Sequence, residues 1–315
     1  MARASYTFRL DPFAADYDAA IQLSEAEEPS ASVDVTVERA DWGPVRPTAS
    51  PNPPQVFFVD GVRRVEHRLM VEGDAGSLYG LLGSFGVGAA CLGNKSARIT
   101  HEHIGRLCVV GGGVLLPGVN TPVPGGRSAL AFESRLVPEN TPMAPLDGLQ
   151  TTMRELGDEA EMVVLDGPLT FLGSTTAPIV GLVKRLMRPY LAPAEAGLLR
   201  RLEVGTRTPL FLIEDARAPR YSWYQRLAHG RSIQAALTGV VRLEASGTLP
   251  LGQACALADA ACRILPRLAS DAAHDPRAPS NLVPIGGLEQ RLRRLLGDPL
   301  LIRRAIEAWL LREAS

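Results

Sequence analysis

The chain has 315 residues, of which 46% are hydrophobic, and its 33 basic residues nearly balance 34 acidic ones, giving a formal net charge of -1 at pH 7. This composition predicts a soluble globular protein of one large or two modest domains. It excludes a disordered acidic chain and a protein that coats nucleic acid through overall positive charge. Any contact with nucleic acid must therefore come from a local cluster of charge. Lys95 and Lys184 are the only lysines, so almost all basic residues are arginines.

Targeting signals and cysteines indicate the compartment. Residues 1–28 contain several acids and no apolar segment of the kind found in signal peptides, and the apolar stretch 107–119 is interrupted by glycine and proline. The four cysteines show no CxxC spacing and are too few for a disulfide framework. We therefore expect a cytoplasmic protein without a membrane anchor.

The first half of the chain reads as an arm followed by strands. Proline and serine cluster at residues 29–32 and 44–54, so residues 1–54 are predicted to form an arm that precedes the main fold. A buried strand is predicted over residues 55–60 (QVFFVD), ending in an acid and then Gly61. Further strands are predicted at residues 65–70, 77–91, 106–116 and 128–137. Sequential strands joined by turns suggest an antiparallel meander.

The second half alternates helical and strand patterns. A helix over residues 149–157 leads into a second buried strand, residues 162–166, which again ends in Asp-Gly. Beyond it we predict helices over 178–187, 193–204 and 251–270, strands over 209–214 and 239–244, and a tail over 288–312 that is one helix or a pair broken at 297–299. The pattern predicts an α/β fold: a mixed sheet core (55–250) completed by a C-terminal helical region (251–315).

Two carboxylates are the sharpest chemical feature. Asp60 and Asp166 each follow a buried strand and precede a glycine that lets the backbone approach a ligand. Two acids in a poorly solvated site repel each other unless a cation lies between them. A hard divalent ion prefers oxygen ligands and activates water for attack on a phosphodiester. The alternative is that each aspartate only caps a turn.

A metal site needs a third acid. Glu155 lies in the helix before the second Asp-Gly strand, and Glu133 on the preceding strand is a competitor. His101 and His103 alternate on a strand but have no supporting ligand nearby in the sequence. The usual motifs of dinucleotide-binding proteins, P-loop ATPases, zincins and α/β-hydrolases are missing from the sequence.

Cations and aromatic residues near these acids are candidates for binding DNA. Phosphate-backbone binding needs cations beside the metal site, which favours the cluster next to Asp60. Trp223 and Tyr224 could stack on a base of single-stranded DNA or, alternatively, anchor the sheet by packing. The three cationic clusters are Arg63, Arg64 and Arg68; Lys184, Arg185 and Arg188; and Arg291, Arg293 and Arg294. For the last cluster, on the tail helix, docking of a partner or a second subunit is an equal alternative.

From about residue 55 to the end, the order and spacing of several motifs resemble the NurA family of DNA repair nucleases. No single motif is decisive, because Asp-Gly after a strand is common, but their order together is specific. The motifs are FFVDGVRR (57–64), MRELGDEAEMVVLDGPL (153–169), GLVKR (181–185), RTPLFLI (207–213), SWYQRL (222–227) and VVRLE (240–244).

The resemblance implies an RNase H-like core with a Mn²⁺- or Mg²⁺-dependent nuclease activity on DNA ends and single strands. It also implies a homodimer that admits DNA, a hexameric HerA-type translocase as partner in end resection and double-strand break repair, and a nucleoid-associated cytoplasmic location. Matched by position, Asp60 and Asp166 are the catalytic strand acids and metal ligands, and Glu155 is the best match for the helix glutamate. The resemblance is to the bacterial type of the family, and it implies 5'-3' exonuclease and single-strand endonuclease activity for this chain.

The C-terminal segment departs from the family pattern. Many members carry a tyrosine and, eight residues later, a histidine, whereas this chain has Asn281 and Glu289 at that spacing. Glu289 is therefore the candidate replacement as ligand or base, with His274 as a looser alternative. This departure motivates a rival hypothesis, a non-catalytic adapter that binds DNA or the translocase. A carboxylate-pair glycosidase, which needs no metal, is a third possibility.

Overall fold

The structure, a computed structural model, describes residues 7–10, 32–47, 54–73, 76–93, 96–122, 129–135, 152–153, 155–156, 160–170, 172, 175–184, 186, 190–214, 218–230, 234–275 and 277–313. Its strands are β1 (Thr7–Leu10), β2 (Ser32–Asp34), β3 (Val56–Gly73), β4 (Gly76–Leu92), β5 (Ala97–Val110), β6 (Val119–Pro122), β7 (Ala129–Ser134), β8 (Met162–Asp166), β9 (Ile179–Val183), β10 (Phe211–Glu214), β11 (Arg220–Arg226) and β12 (Val240–Ser246). Its α-helices are α1 (Pro193–Ala196), α2 (Leu251–Ile264), α3 (Val283–Leu295) and α4 (Pro299–Glu313), with 3-10 turns at Gly197–Arg201 and Leu265–Leu268.

The strands form one large mixed sheet in the order β2-β10-β11-β12-β9-β8-β3-β4-β5-β7-β6, and β1 also pairs with β3. β8 lies parallel to β3 and to β9, and β7 lies parallel to β5, whereas the other paired strands are antiparallel. The predicted α/β class with a mixed sheet is therefore confirmed. No helix in the described part of the chain is both long and apolar enough to cross a membrane.

The first buried strand does not end at Asp60. β3 continues through Gly61 to Gly73 and pairs with β4 from Phe57 to Gly73, with one shift of register between Val65 and His67. The predicted turn at Gly61 is wrong, because the hairpin with β4 keeps the backbone extended after β8 stops pairing at Val59. The second aspartate does stand at a strand end, since Gly167 follows β8 with a φ of 126°.

The predicted helix over residues 178–187 is wrong as well. Residues 179–183 form β9, a strand in the middle of the sheet with every residue buried. Short apolar runs have no period that separates a buried strand from a buried helix, and the β-branched residues of IVGLV favour the strand.

Helix α2 covers one face of the sheet. Alternate residues of the parallel strands share a core with Ala254, Leu257, Ala258 and Ala261 of this helix. The strand residues on this face are Val56 and Phe58 of β3, Met162 and Val164 of β8, and Val180 and Leu182 of β9.

Helix α3 covers the continuation of the same face, beyond the end of β8. Leu288 and Leu292 pack on Val62 of β3. The helix approaches β4 closely because Gly88 has no side chain: a Cβ there would lie 3.1 Å from a methyl carbon of Leu288. Two sheet arginines then hold the end of the helix, since Arg64 and Arg106 both donate to the carbonyl of Leu296, at 3.4 and 3.0 Å.

The described parts of residues 1–54 are joined to the sheet. β1 pairs with β3 and β2 pairs with β10, while Val45 exchanges two backbone hydrogen bonds with Arg207. The interpretation of residues 1–54 as an arm preceding the fold needs correction at these points, because sheet edges offer unpaired backbone groups to any nearby extended segment.

Candidate active site

The two aspartates are neighbours across the parallel pair β3 and β8. Val59 pairs with Leu165, and continuing this register by one residue brings Asp60 level with Asp166. Adjacent strands lie about 5 Å apart. Both side chains emerge on the face of Phe58 and Val164, because each lies two residues further along its strand. The sequence prediction that two strands deliver their carboxylates to one place is consistent with this register.

The carboxyl group of Asp60 is poorly solvated. Its exposed fraction is 9%, and its Oδ1 accepts a hydrogen bond of 2.7 Å from the backbone N–H of Gly61. Burial, and after it the negative charge of Asp166, raises the pKa of Asp60 to about 8 despite that hydrogen bond and the charge of Lys184. A carboxyl group that is costly to ionise alone is suited to a site that a cation enters.

Lys184 supplies a positive charge from the neighbouring strand. It follows β9, two residues beyond Leu182, which pairs with Asp166. Its ammonium group donates to Oδ2 of Asp166 at 2.5 Å and to Oδ1 of the buried Asn281 at 2.6 Å. The parallel strands and the segment before α3 therefore meet at this ammonium group.

A second polar chain extends from Asn281. Its amide nitrogen donates to Asp275, which also accepts hydrogen bonds from Arg277. Burial opposes ionisation of Asp275, but these hydrogen bonds outweigh it and lower its pKa to about 2. The segment before α3 is thus fixed by charged hydrogen bonds next to Lys184.

Glu289 on α3 is close enough for its charge to raise the pKa of Asp60. Its own two oxygens accept from Arg277 at 2.6 Å and from Arg293 at 2.8 Å. Burial alone would raise the pKa of Glu289, yet the hydrogen bonds from Arg293 and Arg277 hold it below its ordinary value. The charge of Glu289 therefore reaches Asp60, but both of its oxygens are engaged by guanidinium groups.

Two residues of the site, Asp60 and Asp166, have the oxygen ligands that suit a hard divalent ion. The register of β3 and β8 places these carboxylates level on one face of the sheet. Among the described residues, no three histidine, cysteine, aspartate or glutamate side chains are grouped to hold a metal ion. An ion bound here would take its remaining ligands from water or substrate, as Mg²⁺ commonly does.

Among the described residues, the other candidate acids and histidines do not form a cluster of metal ligands with the aspartate pair. Glu155 has an exposed side chain in a short helical segment whose Leu156 packs on the opposite face of β3 and β8. Glu133 is exposed on β7, three strands from β3, and pairs with Arg135. His274 is exposed one residue before Asp275. His101 bonds to the hydroxyl of Thr100.

The arginines predicted to bind DNA differ in their surroundings. Arg63 is exposed on β3. Arg64 holds Glu66 through three hydrogen bonds of 2.9 to 3.0 Å and caps the end of α3, so its guanidinium group is structural in this conformation. Arg68 is half-buried on the same strand. Within this cluster, Arg63 remains the available cation; Arg185 and Arg188 of the second cluster lie outside the described residues.

Trp223 and Tyr224 are packing anchors. Trp223 has no exposed surface and lies in the core under α2, while Tyr224 stacks on Phe211 with ring centroids 5.8 Å apart. Neither ring has a face open to a base, so the prediction that they bind DNA needs correction in favour of the alternative. The segment is β11, an interior strand, and both of its faces are buried.

Replacing Trp223 by phenylalanine is expected to lower the free energy of unfolding by about 1–2 kcal/mol, because a smaller ring leaves part of a packed site empty. The affinity for a single-stranded oligonucleotide should stay unchanged. Denaturant unfolding and fluorescence anisotropy measure the two quantities. A weakened affinity in a variant of wild-type stability would restore the base-stacking role.

Two residues of the site carry weak signals in the sequence. Lys184 appears there as part of an arginine-rich cluster, and Asn281 only as a residue at a family spacing. For Lys184, the signal that could have marked it as a site residue is composition, because it is one of two lysines among 33 basic residues.

No known family model matches the chain, and no curated protein is similar to it in sequence. The structure is similar to the crystal structure of the NurA nuclease from Sulfolobus solfataricus, with a TM-score of 0.41 and 11% sequence identity. The aligned part covers 81% of this chain and 86% of that chain.

Proposed function

We propose that this protein is a metal-dependent phosphodiesterase that cleaves DNA. The observation that carries the proposal is the pair of level carboxylates on adjacent parallel strands, one of them buried with a pKa near 8, beside the ammonium group of Lys184. Such a pair suits a Mn²⁺ or Mg²⁺ ion, which supplies a water of lowered pKa and positive charge for the phosphate when bound.

The protein's own residues have separate parts in this chemistry. Asp60 and Asp166 hold the ion, and burial of Asp60 keeps bulk water from screening it. Asn281 and Asp275 fix the ammonium group of Lys184 beside the carboxylates. Glu289, whose charge reaches Asp60, is the candidate base. Glu155 is the candidate helix acid from the motif match alone, because its segment packs on the opposite face of β3 and β8. Arg63 is exposed on β3, but it lies three residues after Asp60 and therefore on the opposite face of the sheet, so it is a candidate for contact with the DNA backbone away from the carboxylate pair.

Finer features of the proposal rest on the motif resemblance to NurA nucleases. They are an RNase H-like core within residues 55–250, completed by residues 251–315, and 5'-3' exonuclease with single-strand endonuclease activity. A homodimer, a hexameric HerA-type ATPase as partner, and a role in DNA end resection in the cytoplasm near the nucleoid belong to the same proposal.

Cleavage of end-labelled DNA tests this function. Wild type is expected to degrade single-stranded and linear double-stranded DNA with Mn²⁺ or Mg²⁺ and to stop completely in chelator. Wild type that never cuts, even with its translocase and ATP, would reject the proposal. Cleavage that persists in chelator would reject the metal dependence of the reaction and favour a mechanism that uses the carboxylates alone.

A non-catalytic adapter is the second candidate. The observation in its favour is that both oxygens of Glu289 are engaged by Arg277 and Arg293, in the segment where the sequence departs from the family. An adapter would bind DNA or the translocase and leave end-labelled DNA intact under every metal condition.

A further inference from the structure

Lys184 differs from a solvated surface lysine, because its side chain is mostly buried between two hydrogen-bond acceptors. Its side chain is 15% exposed, and its ammonium group lies between Asp166 and Asn281 at 2.5 and 2.6 Å. An ammonium group has three N–H donors. The third has no protein acceptor among the residues that the structure describes, so it is available to a ligand at the carboxylate pair.

The choice of lysine is informative in this chain. All but two of its 33 basic residues are arginine, so a lysine at this position departs from the usual basic residue of the chain. A guanidinium group is planar and larger, whereas an ammonium group is a compact point charge with three rotatable donors. Two acceptors this close to one atom in a mostly closed site require the smaller group.

The charges at the site point to an anion as the remaining ligand. With the two aspartate charges balanced by a divalent ion, the ammonium group remains as one excess positive charge. A phosphate oxygen of DNA is the acceptor that fits both this charge and the third donor.

We propose that Lys184 is a catalytic residue whose ammonium group contacts the scissile phosphate and stabilises the negative charge that develops on it. This proposal rests on the proposed function. During hydrolysis the oxygen of water bonds to phosphorus, one P–O ester bond breaks, and the leaving oxygen takes up a proton that the water releases. Lys184 donates a hydrogen bond throughout and keeps its own proton.

Lys184→Gln tests the proposal, because glutamine removes the charge and keeps N–H donors, although its side chain is one bond shorter. The kcat for a single-stranded oligonucleotide is expected to fall about 100-fold or more. Affinity for Mn²⁺ alone, measured by calorimetry, should rise at least about threefold, because a repelling charge is removed. Affinity for the oligonucleotide in Ca²⁺ should fall about tenfold. Arg39→Gln removes the same charge from an exposed pair with Asp41 and should leave all three quantities unchanged.

The opposite signs for metal and DNA separate this role from a structural one. A kcat within threefold of wild type, or Mn²⁺ affinity that falls together with kcat, would overturn the role of Lys184 while leaving the nuclease function in place. Wild type that never cleaves DNA would overturn both proposals. Lys184→Met is the second variant, and loss of the folded state in both variants, seen by circular dichroism, would make Lys184 a structural cation and reject the proposal.

Discussion

Replacing Asp60 by asparagine is expected to abolish DNA cleavage, by at least about 1000-fold, and at the same time to stabilise the metal-free protein. Cleavage is lost because one of the two carboxylates that hold the ion is gone. Stability rises because asparagine keeps the acceptor for the N–H of Gly61 and, unlike the buried carboxyl group, needs neither to take up a proton nor to bury a charge when the chain folds. Single-turnover cleavage and thermal unfolding in chelator measure the two effects.

The gain in stability depends on pH in a defined direction. The folded-state pKa of Asp60 is about 8 and its ordinary value is 3.8, so the folded protein retains a proton that the unfolded chain releases. Wild type therefore loses stability as pH rises from about 4 to 8, and the advantage of Asp60→Asn grows over that window to on the order of 2–4 kcal/mol. Asp41→Asn, a change at an exposed acid, should show no such trend. Equal stability of Asp60→Asn and wild type at pH 5 and at pH 8 would contradict the buried-carboxyl description.

Replacing Arg207 by alanine is expected to lower the free energy of unfolding by about 2–4 kcal/mol, the largest loss of stability that we predict. Arg207 is 1% exposed and binds both oxygens of Glu38 at 2.8 Å and Asp259 of α2 at 2.7 Å. Its removal leaves two carboxylates facing each other without their cation. Denaturant unfolding followed by circular dichroism gives the difference.

Arg39→Ala is the matched control for this variant. Arg39 is close in sequence to Glu38, but its pair with Asp41 is exposed, so the expected change is at most about 0.5 kcal/mol. A loss in Arg207→Ala no greater than in the control would mean that residues 32–47 form an independent arm, as the proline-rich sequence suggests.

The aspartate pair was predictable because both of its signals are local. Each aspartate ends an apolar run, and such runs in a mixed sheet bring their ends to one edge. The polarity of Asp60 within QVFFVD stands out without any knowledge of partners. The prediction from sequence was wrong for the residues after Asp60, because the pairing of β3 with β4 beyond Gly61 is a long-range contact.

The residues that contact the aspartate pair were not predictable, because they reach it through contacts between segments that are distant in the sequence. Lys184 reaches Asp166 only because residues 179–183 form a strand beside β8, and this segment reads equally well as a helix. Asn281 lies 97 residues from Lys184 in the chain, and no local pattern connects them. For Trp223 the sequence suggested a functional role that the structure does not support. An aromatic residue in a motif with charged neighbours is a candidate for stacking on a base, but Trp223 is fully buried because β11 lies inside the sheet.

Binding of Mn²⁺ to the protein in the absence of DNA tests most directly whether Asp60 and Asp166 form one cation site. Free Mn²⁺ is measured by electron paramagnetic resonance for wild type, Asp60→Asn and Asp166→Asn near pH 7. We predict that wild type binds the ion at this pair and that each substitution weakens that binding at least about tenfold while the fold persists. Wild type that binds no Mn²⁺, or variants that bind it as tightly as wild type, would contradict the account.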